Sequence, residues 1–227
     1  MKTLAIEFSS SRRSVAVAQG TKVLATVSVD TIETSPFTII EKALIDSASQ
    51  REEIVAIALG IGPGSYAGIR SAIAIAQGWQ LAREARLIPI SSIDCLAAVL
   101  CANGFRGSAR LLIDAQRGEF YRAIVEISEV NWRQTTPLGI ITRAALDTET
   151  QLPTFGPDLD KLKTGCQPLF PDAAALAVLA ATREDSVSGD QIEPIYLRLS
   201  QFAKATAPRT ILTRDLQNPP TSACNLA

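Results

Sequence analysis

The sequence predicts an α/β protein assembled from two related units, on three observations. Short strand-like runs rich in β-branched residues open each half of the chain, at 3–29 and again at 109–132. Helical stretches follow strands in both halves, with Asn103-Gly104-Phe105-Arg106-Gly107 as a turn-rich joint between them. The 227 residues, 47% hydrophobic and 20% charged, suffice for one large core or two small ones. The expected units are residues 1–104 and a smaller 105–200, with 201–227 as a loosely held tail.

Thr3-Leu4-Ala5-Ile6 reads as a short apolar strand, Ser14 to Ala18 alternates, and Lys22 to Val29 alternates with β-branched residues. Gln19-Gly20-Thr21 is the hairpin turn between the last two. Thr34-Ser35-Pro36 places an N-cap before a proline whose φ is already helical, and opens a helix with Phe37, Ile40, Leu44 and Ala48 on one face. Ile54 to Leu59 is an apolar strand that runs into Gly60-Ile61-Gly62-Pro63-Gly64-Ser65, after which an alanine-rich helix continues to about Arg86. Leu87 to Ile90 is a buried strand and Ser91-Ser92 opens a helix through Cys101. Beyond the joint, Ala109 to Asp114, Gly118 to Ile127 and the region of Trp132 are strands. Leu152 to Pro171 reads as irregular, Asp172 to Arg183 as helical, and Glu193 to Arg198 as extended; Pro208, Pro219 and Pro220 mark the tail.

Histidine is absent. That excludes Ser-His-Asp and Cys-His nucleophile activation, HExxH zinc sites and histidine-ligated metal sites, and leaves carboxylates, hydroxyls, amides, lysines and arginines. Lys plus Arg number 22 against 23 Asp plus Glu, so no global basic field holds a nucleic acid. Cys95, Cys101, Cys166 and Cys224 form no CxxC pair and read as reduced thiols, which points to the cytosol. The start, Met1-Lys2-Thr3-Leu4-Ala5-Ile6-Glu7, has no leader-like pattern, and no apolar run reaches membrane-spanning length.

The most distinctive stretch is Gly60 to Arg70, a strand-to-helix turn whose amides could hold an anion. It lacks the Gly-Lys-Ser/Thr of a Walker loop; Gly62 to Ala67 fits GxGxxA, but no acidic residue ends a strand about 20 residues on. The alternative is that the glycines allow a tight turn and close helix packing. In the helix that follows, Gly68, Ala72, Ile75, Trp79 and Ala82 form the stripe expected to lie on the sheet. Beside it Ala67, Ser71, Ala74, Gly78 and Leu81 form a stripe of mostly small residues that would let another helix approach closely. The remaining edge carries Tyr66, Arg70, Ile73, Gln77, Gln80 and Glu84. Cover for the second stripe comes either from Phe37, Ile40 and Leu44 or from another protein. Glu7, before Ser9, Ser10 and Ser11, and Asp114, before Gln116, each end the first strand of their half, where a carboxylate and turn amides can hold a metal–phosphate unit or simply form a turn. Asp114 and Glu119 could also act as an acid and base pair.

Four segments in order across positions 4–198 carry a family resemblance. They are Leu4-Ala5-Ile6-Glu7-Phe8-Ser9-Ser10 with Ser14-Val15-Ala16-Val17, Gly62-Pro63-Gly64-Ser65-Tyr66-Ala67-Gly68-Ile69-Arg70, Ile113-Asp114-Ala115-Gln116-Arg117-Gly118-Glu119-Phe120-Tyr121, and Pro194-Ile195-Tyr196-Leu197-Arg198. With these the chain resembles the TsaB (YeaZ) family of the ASKHA (actin-like, sugar kinase, Hsp-type) superfamily. The resemblance implies two RNase H-like lobes of mixed sheets flanked by helices, and a role in making N6-threonylcarbamoyladenosine in tRNAs that read codons beginning with adenine. It implies partnership with a TsaD-like catalytic subunit, which binds a metal through histidines, and with a TsaE-like ATPase. It also implies self-association, both pairings using the first-lobe helices around 34–50 and 65–85; tRNA is met mainly through the complex. No cofactor of its own is implied, and ATP, ADP or metal is expected only at or on the partner subunits. Glu7 stands where the family usually has Asp, and Tyr66-Ala67 where it has Phe-Thr.

The expected function is therefore a non-catalytic scaffold subunit, against an independent peptidase-like or small-molecule kinase enzyme. The expected partner surface is Phe37, Ile40, Leu44, Tyr66, Arg70, Ser71, Ala74, Gln77 and Gly78. Candidates for any nucleotide or cation site are Glu7, Ser9, Ser10 and Asp114; no catalytic residue and no metal ligand is expected.

Overall fold

A computed structural model describes residues 2–31, 33–159 and 165–197. The expected tail, Cys224 and Arg198 lie outside the described residues.

The alternating opening builds the antiparallel strands β1 (Lys2–Glu7), β2 (Arg13–Gln19) and β3 (Lys22–Val29). The apolar runs β4 (Ile54–Gly60) and β5 (Arg86–Ile90) add to them in parallel, giving the order β3-β2-β1-β4-β5. The second sheet repeats this plan. Strands β6 (Gly107–Asp114), β7 (Glu119–Ile127) and β8 (Trp132–Thr142) are antiparallel, and two short strands, β9 (Thr154–Gly156) and β10 (Gln167–Pro168), pair in parallel beyond β6. These last two lie in the stretch expected to be irregular; at three and two residues they are too short to show any period. A helix of six residues, α4 (Arg143–Thr148), also escapes the periodicity.

Side-chain size separates the two faces of the first sheet. Leu4, Ile6, Val15, Val17, Ile57 and Leu59 point to one face, where α1 (Pro36–Asp46) and α2 (Tyr66–Arg83) pack. On the other face Ala5, Ala16, Ala18, Ala56 and Ala58 form a shallow floor, and α5 (Ala173–Ala181) lies on it through Ala173, Leu176, Ala177 and Ala180. Small side chains on both partners allow a close approach of helix to sheet. Asp172 caps α5, its Oδ1 accepting the amide of Ala174 at 2.6 Å.

The remaining helix, α3 (Ser92–Ala102), buries Ile93, Leu96, Ala97 and Leu100 against Leu111, Ile113, Val125 and Phe155 of the second sheet. The boundary expected at residue 104 therefore divides the sheets but not the helices. Helix α3, from the first half, covers the second sheet, and α5, from the second half, covers the first.

Two helix faces differ from expectation. In α1 the buried residues are Ile39, Ile40, Ala43 and Leu44; Phe37 is 69% exposed and Ala48 lies past the helix end. Ser35 precedes Pro36 as the N-cap, but its hydroxyl makes no capping bond. In α2 the face on the sheet is Gly68, Ile69, Ala72, Ile73 and Ala76, rotated from the expected stripe. Ile75 and Trp79 are half-buried and Ala82 is exposed. The helix stops at Arg83, with Glu84 in the left-handed region.

Candidate functional site

Two concave surfaces gather the candidate residues: a cleft between the sheets and a groove on the outer helices. The cleft forms where β1 and β6 end, one carboxylate from each. Glu7 Oε1 accepts the amide of Ser9 at 2.7 Å, and Asp114 Oδ1 accepts the amide of Gln116, also at 2.7 Å. The same bond to the residue two positions on opens the hairpin of each sheet, as the repeated topology requires.

Their environments differ. Asp114 is half-exposed on the cleft wall, its Oδ2 taking the side-chain amide of Gln116 at 2.9 Å. Glu7 lies beneath the cleft, fully buried, with Oε2 unpartnered among the described residues and wedged on the Gly60 backbone, where a Cβ would come within 2.0 Å of it. Burial pushes its carboxyl up to about 7, against the lowering effect of the Ser9 hydrogen bonds. The long side chain thus turns inward, and Glu7 does not line the cleft.

Ser9 ties the surrounding elements together. Its hydroxyl accepts from that of Ser92, at the start of α3, at 2.9 Å, and its carbonyl accepts the amide of Ser65, the N-cap of α2, at 2.7 Å. Gly64 makes this possible: at a φ of +152°, a Cβ would stand 2.1 Å from the Ser9 carbonyl oxygen. The glycines of the Gly60–Ser65 turn thus serve close packing here. Ser10 is buried too, with its hydroxyl on the Arg12 carbonyl at 2.9 Å. Ser11 reaches the second lobe: its amide donates to Asp158 Oδ2 at 3.0 Å and its hydroxyl to Asp158 Oδ1. Ser11 belongs to the serine-rich hairpin that the sequence marks after Glu7, but Asp158 carries no signal of its own, because a contact across 147 positions leaves no local pattern.

The groove runs between α1 and α2, with a volume of about 770 Å³. Phe37 and Ile40 line one side; Ser71, Ala74, Ile75, Gly78 and Trp79 line the other. Ion pairs Arg83–Glu52 and Arg51–Glu41 stand near its rim. Five of the nine expected partner residues therefore meet in one surface. The other four do not. Leu44 is buried under α1, and the Gln77 side-chain amide donates to the Gly189 carbonyl at 2.7 Å. Tyr66 and Arg70 turn to the cleft mouth, where Tyr66 stacks on Tyr196 with ring centroids 5.5 Å apart.

A family model described as TsaD, tRNA N6-adenosine threonylcarbamoyltransferase, matches residues 35–196. The chain is similar to YeaZ from Pseudomonas aeruginosa, with a TM-score of 0.72 at 22% identity over 86% of this chain and 99% of that one. The fold, two like sheets with exchanged helices around a cleft, defines a two-lobed α/β protein. The Escherichia coli protein named tRNA threonylcarbamoyladenosine biosynthesis protein TsaB is 30% identical over 185 residues, covering 70% of this chain and 77% of that protein. Its namesake from Haemophilus influenzae is 27% identical over 180 residues, covering 70% and 76%. The chain belongs to the TsaB (YeaZ) family.

Proposed function

We propose that this chain is a non-catalytic partner subunit in tRNA threonylcarbamoyladenosine biosynthesis. It pairs with a TsaD-like catalytic subunit and a TsaE-like ATPase, meets tRNAs that read codons beginning with adenine mainly through that complex, and pairs with itself when alone. The observation that carries this reading is the apolar groove between α1 and α2, with Phe37 69% and Leu81 90% exposed on the two helices. Apolar surface of this kind, rimmed by charge, is the anatomy of a protein interface. The division of labour is supported by the absence of histidine. Among the described residues, moreover, no three Cys, Asp or Glu side chains gather as metal ligands. A metal, ATP or ADP is accordingly assigned to the partner subunits.

Gly78→Leu tests the groove. No atom of the described residues lies within 4 Å of a Cβ built at this exposed position, so the leucine leaves the monomer folded while filling the groove. The expected result is loss of both the homodimer and the complex with the TsaD-like protein in light scattering, and loss of tRNA modification by the reconstituted set. Unchanged masses would refute the interface; tRNA modification by this chain alone would refute its non-catalytic role.

A further inference from the structure

The outer face of the second sheet, away from α3, buries a charge. Ala109, Leu111 and Ile113 of β6 point toward α3, so Arg110 and Leu112, which alternate with them, point the other way. Leu112 packs there with Phe120, Ile141, Leu146 and Leu159. Arg110 lies next to this cluster with its side chain only 7% exposed. A guanidinium is costly to bury unless it is paired and hydrogen-bonded.

The pairing is incomplete. Arg110 Nε stands 3.1 Å from Glu149 Oε2 and Arg122 Nη2 stands 2.8 Å from Glu149 Oε1, so two guanidiniums share one carboxylate. Arg110 Nη1 donates to the Thr154 hydroxyl at 3.3 Å and Nη2 to the Thr150 carbonyl at 2.6 Å. Each of these two nitrogens carries two N–H groups, which leaves one on each without a partner among the described residues. A buried cation with donors left over is completed by an anion.

Room for one lies beside it, in a cavity of about 240 Å³. Arg110, Arg143, Gln151 and Thr154 line it together with Leu146 and Leu152. Asp147 also reaches the wall, where its Oδ1 accepts from Arg143 Nε at 3.1 Å. None of these residues lines the cleft or the groove. A planar carboxylate is satisfied by a single guanidinium fork, whereas the oxygens of a tetrahedral phosphate can reach donors on several side chains. We infer that this cavity binds a phosphate group, held by Arg110 with Arg143 and Gln151 as further donors. The same chemistry is offered by the free ion and by a small phosphate monoester.

Calorimetric titration of the full chain with inorganic phosphate, glycerol phosphate and acetate, in chloride at one fixed ionic strength, tests this. Saturable phosphate binding is expected, weakened at least fivefold by Arg143→Gln and by Gln151→Ala and unchanged by Gly78→Leu in the groove. Gln151 is exposed and the Arg143 side chain is 40% exposed, so both variants keep the fold. A phosphate-dependent shift of the Gln151 side-chain amide resonance in the unmodified chain reads the same contact without any substitution. Tighter binding of glycerol phosphate assigns the site to a monoester, and tighter binding of inorganic phosphate assigns it to the free ion; either upholds the site. No saturable binding of either phosphate, acetate binding as tightly as phosphate, or phosphate binding unaffected by both substitutions overturns it.

Discussion

Glu7 illustrates how one methylene alters a site. A carboxylate that ends a strand before a hairpin turn is positioned to face a cleft, and Asp114 in the second sheet does so. The longer Glu7 instead folds back beneath the cleft onto Gly60, where desolvation favours its protonated form. Unfolded, the group titrates at its ordinary value of 4.5; folded, at about 7. Between these values the unfolded chain binds fewer protons than the folded one. Stability should therefore fall as pH rises from 4.5 through 7, and this group adds no slope outside that window. The gap is worth about 3 kcal/mol. Glu7→Gln keeps the shape and the acceptor for Ser9 and removes the charge. Urea unfolding should find it more stable than the parent above pH 7, with the advantage gone below pH 4.5. A parent whose stability is level across the window would contradict the buried carboxyl.

Among the elements, α2 carries the most. Its first half closes on the end of β1 so tightly that a Cβ at Gly68 would stand 1.9 Å from the Phe8 carbonyl oxygen. Its outer side at Gly78 meets none of the described residues within 4 Å. The same substitution should therefore have opposite signs at the two positions. Gly78→Ala gains helix propensity, up to about 1 kcal/mol. Gly68→Ala gains the same term but forces helix from strand, and overpacking of a rigid backbone contact costs roughly 1–3 kcal/mol or more. Thermal unfolding of the two variants should move the melting point up for Gly78→Ala and down for Gly68→Ala; equal shifts would refute this placement of the helix. The sequence revealed the start of α2 through Ser65, whose hydroxyl does accept the amide of Gly68, but not its rotation. A wheel of small residues has several nearly equal apolar faces, and the packing against the sheet chose the one with Ile69 and Ile73.

At the scale of the whole molecule, the exchange of α3 and α5 makes each sheet depend on the other half of the chain. A fragment of residues 1–104 lacks α5 and exposes the alanine floor with Ile88 and Ile90, while its own α3 has no second sheet to cover. It should fail to give a cooperative unfolding transition by circular dichroism, and should recover one when residues 172–197 are joined to it through a flexible linker. A cooperative transition in the bare fragment would show that the lobes are independent after all.

Much of this architecture was legible along the chain. The three opening strands, the capped starts of α2 and α3 and the repeat of strand order in the second half depend on neighbours a few positions apart, and alternation or a cap records such relations directly. The alternation even held a clue to the exchange: in the first sheet one face is large and the other is alanine at 5, 16, 18, 56 and 58, the complement of an alanine-rich helix. Which helix takes that floor, which carboxylate turns inward and which of nine candidate residues share a groove were decided only in three dimensions. Burial goes to whichever surfaces fit at closest approach, and fit between segments more than 100 positions apart, such as Ser11 with Asp158 or Tyr66 with Tyr196, writes no period into either.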